Sequence, residues 1–206
     1  MKDAFDTALL KYSYRHDSPL GGITLASDGT ALTGLWFDGQ KHFPAVFLEG
    51  NREKPLPVFL KTLKWLDAYF GGEDPGFTPA IHIRATPFRR TVWEILQEIP
   101  YGQTLTYGEI AARIAVQTGR SRMSAQAVGG AVGNNPVSLI IPCHRVVGAD
   151  GSLTGYAAGL HRKAELLRLE GAIVKDDRIV FPEQTENQAC QGSIQYGNQG
   201  KLYNIM

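Results

Sequence analysis

Between residues 11 and 38 apolar and polar positions alternate, with Tyr12, Tyr14, Ile23, Leu25, Leu32, Leu35 and Phe37 broken by turn signals at Ser18-Pro19-Leu20-Gly21-Gly22 and Asp28-Gly29. This period of two predicts a small meander of antiparallel strands. From residue 56 the period lengthens: Leu56, Phe59, Leu60, Leu63, Leu66 and Phe70 fall at helical intervals, and Gly71-Gly72 supplies a C-cap signal. The N-terminal part therefore reads as a sheet packed on one helix, with Gly71-Gly72-Glu73-Asp74-Pro75-Gly76 as the best linker candidate.

Beyond the linker the pattern turns mainly helical. Thr86-Pro87 places an N-cap residue before a proline at the first helical position, and Phe88, Val92, Trp93, Ile95, Leu96 and Ile99 form one apolar face that Pro100-Tyr101-Gly102 ends. Thr106-Tyr107-Gly108-Glu109 fits a capping box, in which the two side chains satisfy free backbone N–H groups at a helix start. Ser124 to Gly133 reads as a helix built from small residues. Helix, turn and second helix in this order fit a helix-turn-helix, and small side chains let the second helix approach another backbone closely, whether that of a ligand or of a neighbouring helix. Asn134-Asn135-Pro136 then turns the chain into a predicted strand, Val137 to Ile141, which delivers Cys143. Gly148-Ala149-Asp150-Gly151 reads as a turn, Gly155-Tyr156-Ala157-Ala158-Gly159 as a small-residue loop, and His161 to Glu170 as a last helix. Residues 183–206 are rich in Gln, Asn and Gly without an apolar period and read as a mobile tail, which holds Cys190.

Composition narrows the class. At 206 residues, 43% hydrophobic and 20% charged, the chain has the balance of a soluble globular protein. No run approaches the roughly 18 to 20 apolar residues of a membrane span, and Met1-Lys2-Asp3-Ala4-Phe5-Asp6 does not resemble a signal peptide, so a cytoplasmic protein without a membrane partner is expected. Residues 84–170 hold ten Arg or Lys against six Asp or Glu, a local +4 in a chain of net +1, so the flanks sum to −3. This bias is compatible with phosphate contacts but weaker than a strongly basic DNA-binding domain shows. Two cysteines outside any Cys-x-x-Cys or Cys/His ligand spacing indicate neither a disulfide framework nor a metal site.

The candidate chemistry lies in Pro142-Cys143-His144-Arg145-Val146. A thiolate, not a thiol, is the nucleophile, and His144 and Arg145 are neighbours of the kind that lower a thiol's pKa. A buried cysteine that merely packs is the competing reading.

Thr86-Pro87-Phe88, Val92-Trp93, Ile99-Pro100-Tyr101-Gly102, Ala127-Val128-Gly129, Asn135-Pro136, Pro142-Cys143-His144-Arg145-Val146, Gly155-Tyr156 and Leu166-Leu167-Arg168-Leu169-Glu170 occur in order. Together they closely resemble the methylated-DNA:protein-cysteine methyltransferases, or O6-alkylguanine-DNA alkyltransferases. The match is continuous over about residues 84–172, weaker before it and absent from the tail. It implies an α/β (α+β) protein with a ribonuclease-H-like domain over residues 1–76. It also implies a mainly helical winged helix-turn-helix domain over 84–172 that binds double-stranded DNA in the minor groove and flips out an O6-alkylated guanine. A monomer with no cofactor and no metal is expected.

By resemblance, Cys143 accepts the alkyl group irreversibly, His144 is its base through a bridging water, and Glu170 orients the imidazole. Tyr107 helps rotate the nucleotide and donates to the purine, and Asn135 braces the turn before the cysteine. The carbonyls of Cys143 and Val146 accept from the guanine amino group and the N–H of Ala157 reaches O6. Ala127 and Gly129 on the recognition helix, with Arg145, Tyr156 and Ala158, complete the expected DNA and base contacts. One position departs from the family: Gln126 stands where an arginine commonly fills the space left by the flipped base. The preceding loop, Val116 to Met123, is longer than in many members and brings Arg120 and Arg122 together as candidate phosphate contacts. A DNA-binding alkylation sensor without transfer would leave the Cys-His pair unexplained, and a cysteine hydrolase would leave the small-residue helix without use.

Overall fold

The computed structural model describes residues 10–44 and 52–180. The tail 183–206 with Cys190, and Met1–Asp6, lie outside the described residues. The expected meander is present as β1 (Tyr12–Ser18), β2 (Gly21–Ser27) and β3 (Leu32–Phe37), and the two-residue β4 (Arg52–Glu53) adds to β1 in parallel, giving the order β3-β2-β1-β4. The helix that packs on it is α1 (Pro57–Phe70). Its buried face is Val58, Phe59, Thr62, Trp65, Leu66 and Tyr69, rotated from the expected stripe, so Leu60 stands in solvent. Thr62 can join this face because its hydroxyl donates to the Val58 carbonyl and enters the core with its polarity satisfied.

The linker candidate does not leave the sheet. The segment after it lies along β3, where Leu32 N donates to Ala80 O and His82 N to Leu32 O. The chain then enters α2 (Pro87–Gln97), capped as expected by the Thr86 hydroxyl. The two-residue β5 (Leu105–Thr106) leads into α3 (Tyr107–Gln117), whose capping box forms in both directions between Thr106 and Glu109. After the loop comes α4 (Ala125–Gly133), capped by Ser124. Trp93 of α2 donates its indole N–H to Ala131 O of α4, which locks these two helices together.

Val137 to Ile141 does not form the predicted strand. Only Val137 bridges to β3, through Leu35 N donating to Pro136 O and Ser138 N to Leu35 O, and Leu139 then takes a left-handed φ of 69° that breaks any extended run. Asn135 imposes the bend: its Oδ1 accepts from Val137 N, and its Nδ2 donates to the carbonyls of Val137 and Ile141. Cys143–Arg145 is a single 3-10 turn, followed by β6 (Val146–Val147) paired in parallel with β5. The last helix, α5 (Leu160–Leu169), ends at Glu170, and a small hairpin of β7 (Val174–Lys175) and β8 (Arg178–Ile179) closes the described chain.

One hydrophobic core runs from Ile23, Leu25 and Phe37 of the sheet through Phe59 and Leu66 of α1 to Val92, Ile110 and Val128 of α2, α3 and α4. The fold is thus the expected mixture of a small N-terminal sheet and a helical C-terminal part. No helix among the described residues is long and apolar enough to cross a membrane.

Candidate active site

Cys143 opens the 3-10 turn and is 3% exposed. Its Sγ accepts from Asn135 Nδ2 at 3.1 Å, so the side chain that bends the backbone also touches the sulfur. Burial pushes the thiol up from its ordinary value, while the Asn135 hydrogen bond and the charge of Lys163 pull against that rise. The cations adjacent in sequence do not supply this pull. His144 is neutral, and Arg145 turns away.

His144 is fully buried. Burial depresses its pKa more than Glu170 raises it, so the 2.7 Å contact between Nε2 and Glu170 Oε1 is a hydrogen bond from a neutral imidazole rather than an ion pair. With Nε2 carrying the proton, Nδ1 is an acceptor, and it meets no hydrogen-bond partner among the described residues. The ring is therefore fixed in one tautomer with its basic nitrogen unspent.

Glu170, at the end of α5, gathers five donor contacts. Oε1 accepts from His144 Nε2 at 2.7 Å, Tyr69 Oη at 2.7 Å and Arg145 Nη2 at 3.0 Å. Oε2 accepts from Arg145 Nε at 2.8 Å and Gly102 N at 3.1 Å. Burial alone would raise this carboxyl, but His144 and Arg145 outweigh it and hold it down at about 2. A carboxylate so occupied stays an anion and orients the imidazole without taking its proton.

Arg145, expected at the DNA, is 8% exposed and its guanidinium is consumed inside: besides Glu170 it donates from Nη1 to Ile99 O. Its role here is to neutralise a buried anion. Val146 O accepts from Lys163 Nζ, which also donates to Thr154 O at 2.7 Å. A carbonyl has two lone pairs, so one remains for a ligand. Lys163 itself is fully buried, and burial lowers it to about 8 against the opposing charge of Cys143.

The opposite wall comes from α3 and the 153–159 loop. Tyr107, the first residue of α3, donates to Thr154 O at 3.0 Å. Gly155 has φ 57°, which favours glycine, and a Cβ there would lie 3.2 Å from the Tyr107 hydroxyl and press on it. Tyr156 turns inward, its ring 6.4 Å from that of His144. Ala158 is buried, and the loop is tied to the N-terminal lobe where Lys41 N donates to Ala157 O and Arg162 bridges Leu20 O and Ala158 O.

The helix α4 packs small residues on one face and leaves the other open to solvent. Val128, Ala131 and Val132 are buried, and Gly129 faces the Tyr107 ring, 3.8 Å from where its Cβ would stand. Gln126 and Ala127 point outward with Arg120 and Arg122 of the preceding loop, all exposed. The structure thus brings Cys143, His144, Glu170, Asn135, Tyr107 and Tyr156 together and leaves Gln126, Arg120 and Arg122 on an open surface. Two residues escaped the sequence reading, Tyr69 and Lys163. Their signal was available only as polar tips on otherwise apolar helix faces, which must find partners when buried.

Comparison with known proteins agrees with this geometry. A model of the 6-O-methylguanine DNA methyltransferase DNA-binding domain matches residues 87–172, and one of the ribonuclease-like domain of the same family matches residues 10–83. The chain is 42% identical over 166 residues to the methylated-DNA--protein-cysteine methyltransferase of Mycobacterium tuberculosis strain H37Rv, covering 80% of this chain and 95% of that one. It is 40% identical over 162 residues to the Haemophilus influenzae protein of the same name, covering 78% and 86%. The crystal structure of the Mycobacterium tuberculosis protein in complex with DNA superimposes with a TM-score of 0.65 at 42% identity, over 77% of this chain and 92% of that one. A thiol, an oriented imidazole and a buried carboxylate stand on the matched segments, and the chain belongs to the 6-O-methylguanine DNA methyltransferase family.

Proposed function

We propose that this protein repairs alkylated double-stranded DNA by moving a methyl or larger alkyl group from O6 of guanine to Cys143, once and irreversibly. The observation that carries this reading is the convergence on one turn of a thiol held by Asn135 and an imidazole whose Nδ1 is free to accept a proton. Sulfur attacks the alkyl carbon in line as the C–O6 bond breaks. The thiol proton passes through water to His144 Nδ1; the purine, leaving as an anion, is stabilised when the Tyr107 hydroxyl turns from Thr154 O to donate to it, then takes a proton from solvent as His144 returns its own. The C–S thioether has no hydrolysable acyl carbon, so the reaction stops after one turnover.

Double-stranded DNA carrying O6-alkylguanine is the partner in this reading. Gln126 enters the gap left by the flipped nucleotide, Ala127 lies against the backbone, and Arg120 and Arg122 contact phosphates. The exposure of all four supports this assignment. Residues 84–172 form the DNA-binding unit and 1–76 the ribonuclease-like one, acting as a monomer in the reducing cytoplasm that keeps Cys143 a thiol.

Incubation with excess duplex containing O6-methylguanine, followed by mass spectrometry of tryptic peptides, tests the proposal. One methyl per protein on Cys143 is expected, and none in Cys143→Ala. Unmodified Cys143 or repeated turnover refutes it, the former pointing to a sensor and the latter to a hydrolase-like enzyme.

A further inference from the structure

We propose that Tyr69, supplied by α1 of the N-terminal lobe, is a positioning residue of the transfer: its hydroxyl fixes the Glu170 oxygen that holds His144 and so sets how strongly His144 draws the Cys143 proton. The inference rests on the alkyl-transfer reading and adds to it a residue far away in sequence, 74 positions before Cys143.

A buried tyrosine hydroxyl needs some acceptor, and a backbone carbonyl usually serves. Tyr101, in edge contact with Tyr69, does this with Leu169 O at 3.1 Å. Tyr69 instead donates at 2.7 Å to Glu170 Oε1, the same atom that accepts from His144, and its oxygen lies 3.2 Å from His144 Nε2. The phenol is thus wedged between the two groups whose hydrogen bond orients the base. Its ring is clamped by Trp65, stacked at 5.1 Å with an interplanar angle of 9°, and by Phe70 at 5.5 Å edge-on, so the hydroxyl has no second position. Burial raises the Tyr69 phenol well above its ordinary value, with Glu170 adding to the rise, so it remains a proton donor throughout the working pH range.

The direction of the effect follows. A carboxylate oxygen shared among three donors offers less to each, so the Tyr69 hydrogen bond weakens the hold of Glu170 on His144 and restrains the imidazole from becoming imidazolium. The other titratable groups around this cluster are Arg145, Lys163, Cys143, Tyr101 and Tyr156. Lys163 is held by Val146 O and Thr154 O and Tyr101 by Leu169 O, so neither replaces a lost donor on Oε1.

Tyr69→Phe keeps the stacked ring and removes the donor. The ring nitrogen signals of His144, followed by NMR against pH, are then expected to titrate at higher pH than in the unaltered protein. The acid limb of the rate of Cys143 methylation by O6-methylguanine duplex moves the same way, and for a shift of one unit the rate falls on the order of tenfold on that limb and less at neutral pH. Incorporating 3-fluorotyrosine at position 69 keeps both ring and hydroxyl and strengthens the donor, and should shift His144 in the opposite direction. If Tyr69→Phe fails to fold, the fluorinated protein decides alone. Unchanged His144 titration in the fluorinated protein, or a Tyr69→Phe rate loss equal at every pH, overturns the proposal. The His144 titration needs no DNA, so it is read independently of whether the unaltered protein accepts a methyl group.

Discussion

The interior around Glu170 and the outer face of α4 obey opposite rules. Inside, every polar atom of the carboxylate is claimed by Tyr69, His144, Arg145 or Gly102, and one altered side chain leaves several others without partners. Outside, Gln126, Arg120 and Arg122 project into solvent, where neighbouring side chains do not dictate what stands there. In the proposed function the reaction is therefore constrained by the fold, whereas the grip on DNA is free to vary. A glutamine in place of the usual arginine is tolerable on the second surface and would not be within the first.

The sharpest way to break this contrast is Glu170→Gln, which removes the anion and strands the Arg145 guanidinium. A loss of about 3–5 kcal/mol is expected in chemical denaturation. Acid attacks the same point. The Glu170 carboxyl sits at about 2 in the folded protein against an ordinary 4.5, so its contribution is complete above pH 4.5 and disappears as pH falls towards 2. That contribution is on the order of 3 kcal/mol, of which about 2 kcal/mol is lost between pH 6 and 3, the range over which denaturation midpoints read it. Asn135→Ala removes the hydrogen bonds to Val137 O, Ile141 O and Cys143 Sγ together. A cost of about 1–3 kcal/mol is expected, with slower methylation of Cys143 as the cysteine turn loosens.

On the open face the expected changes are in DNA binding alone. Arg120→Ala with Arg122→Ala should leave stability within about 0.5 kcal/mol. The same pair should reduce the salt slope of duplex affinity by about 0.9 per lost phosphate contact. An unchanged slope removes both from the interface. Gln126→Arg should do least: no change in denaturation and a few-fold tighter binding to a lesion duplex, about 1 kcal/mol at most. A large stability effect here would erase the distinction between the two regions.

Local signals were legible in the sequence because they act over a few residues. The Thr106–Glu109 capping box, the Thr86 cap and the strands of the meander form where their patterns place them. Misreadings arose where distant groups overrule the local pattern. Val137 to Ile141 is apolar enough for a strand, yet the Asn135 side chain folds it into a turn. The stripe on α1 is displaced because Thr62 satisfies its own hydroxyl, while Leu60 stands exposed among the described residues. Arg145 beside Cys143 suggested thiol activation, but the direction of a side chain in a 3-10 turn depends on Glu170, 25 residues later. Tyr69 was invisible for the same reason: its partner lies 101 residues away.

The bridge between Leu35 and Val137 gives the cysteine turn an unusual timekeeper. Its two amides, Leu35 N on Pro136 O and Ser138 N on Leu35 O, join the edge of the sheet to the segment that carries Cys143. Neither can exchange its hydrogen with solvent unless sheet and turn part company. Deuterium uptake at Leu35 and Ser138 therefore runs on one clock, and its rate counts how often the N-terminal lobe releases the reactive cysteine.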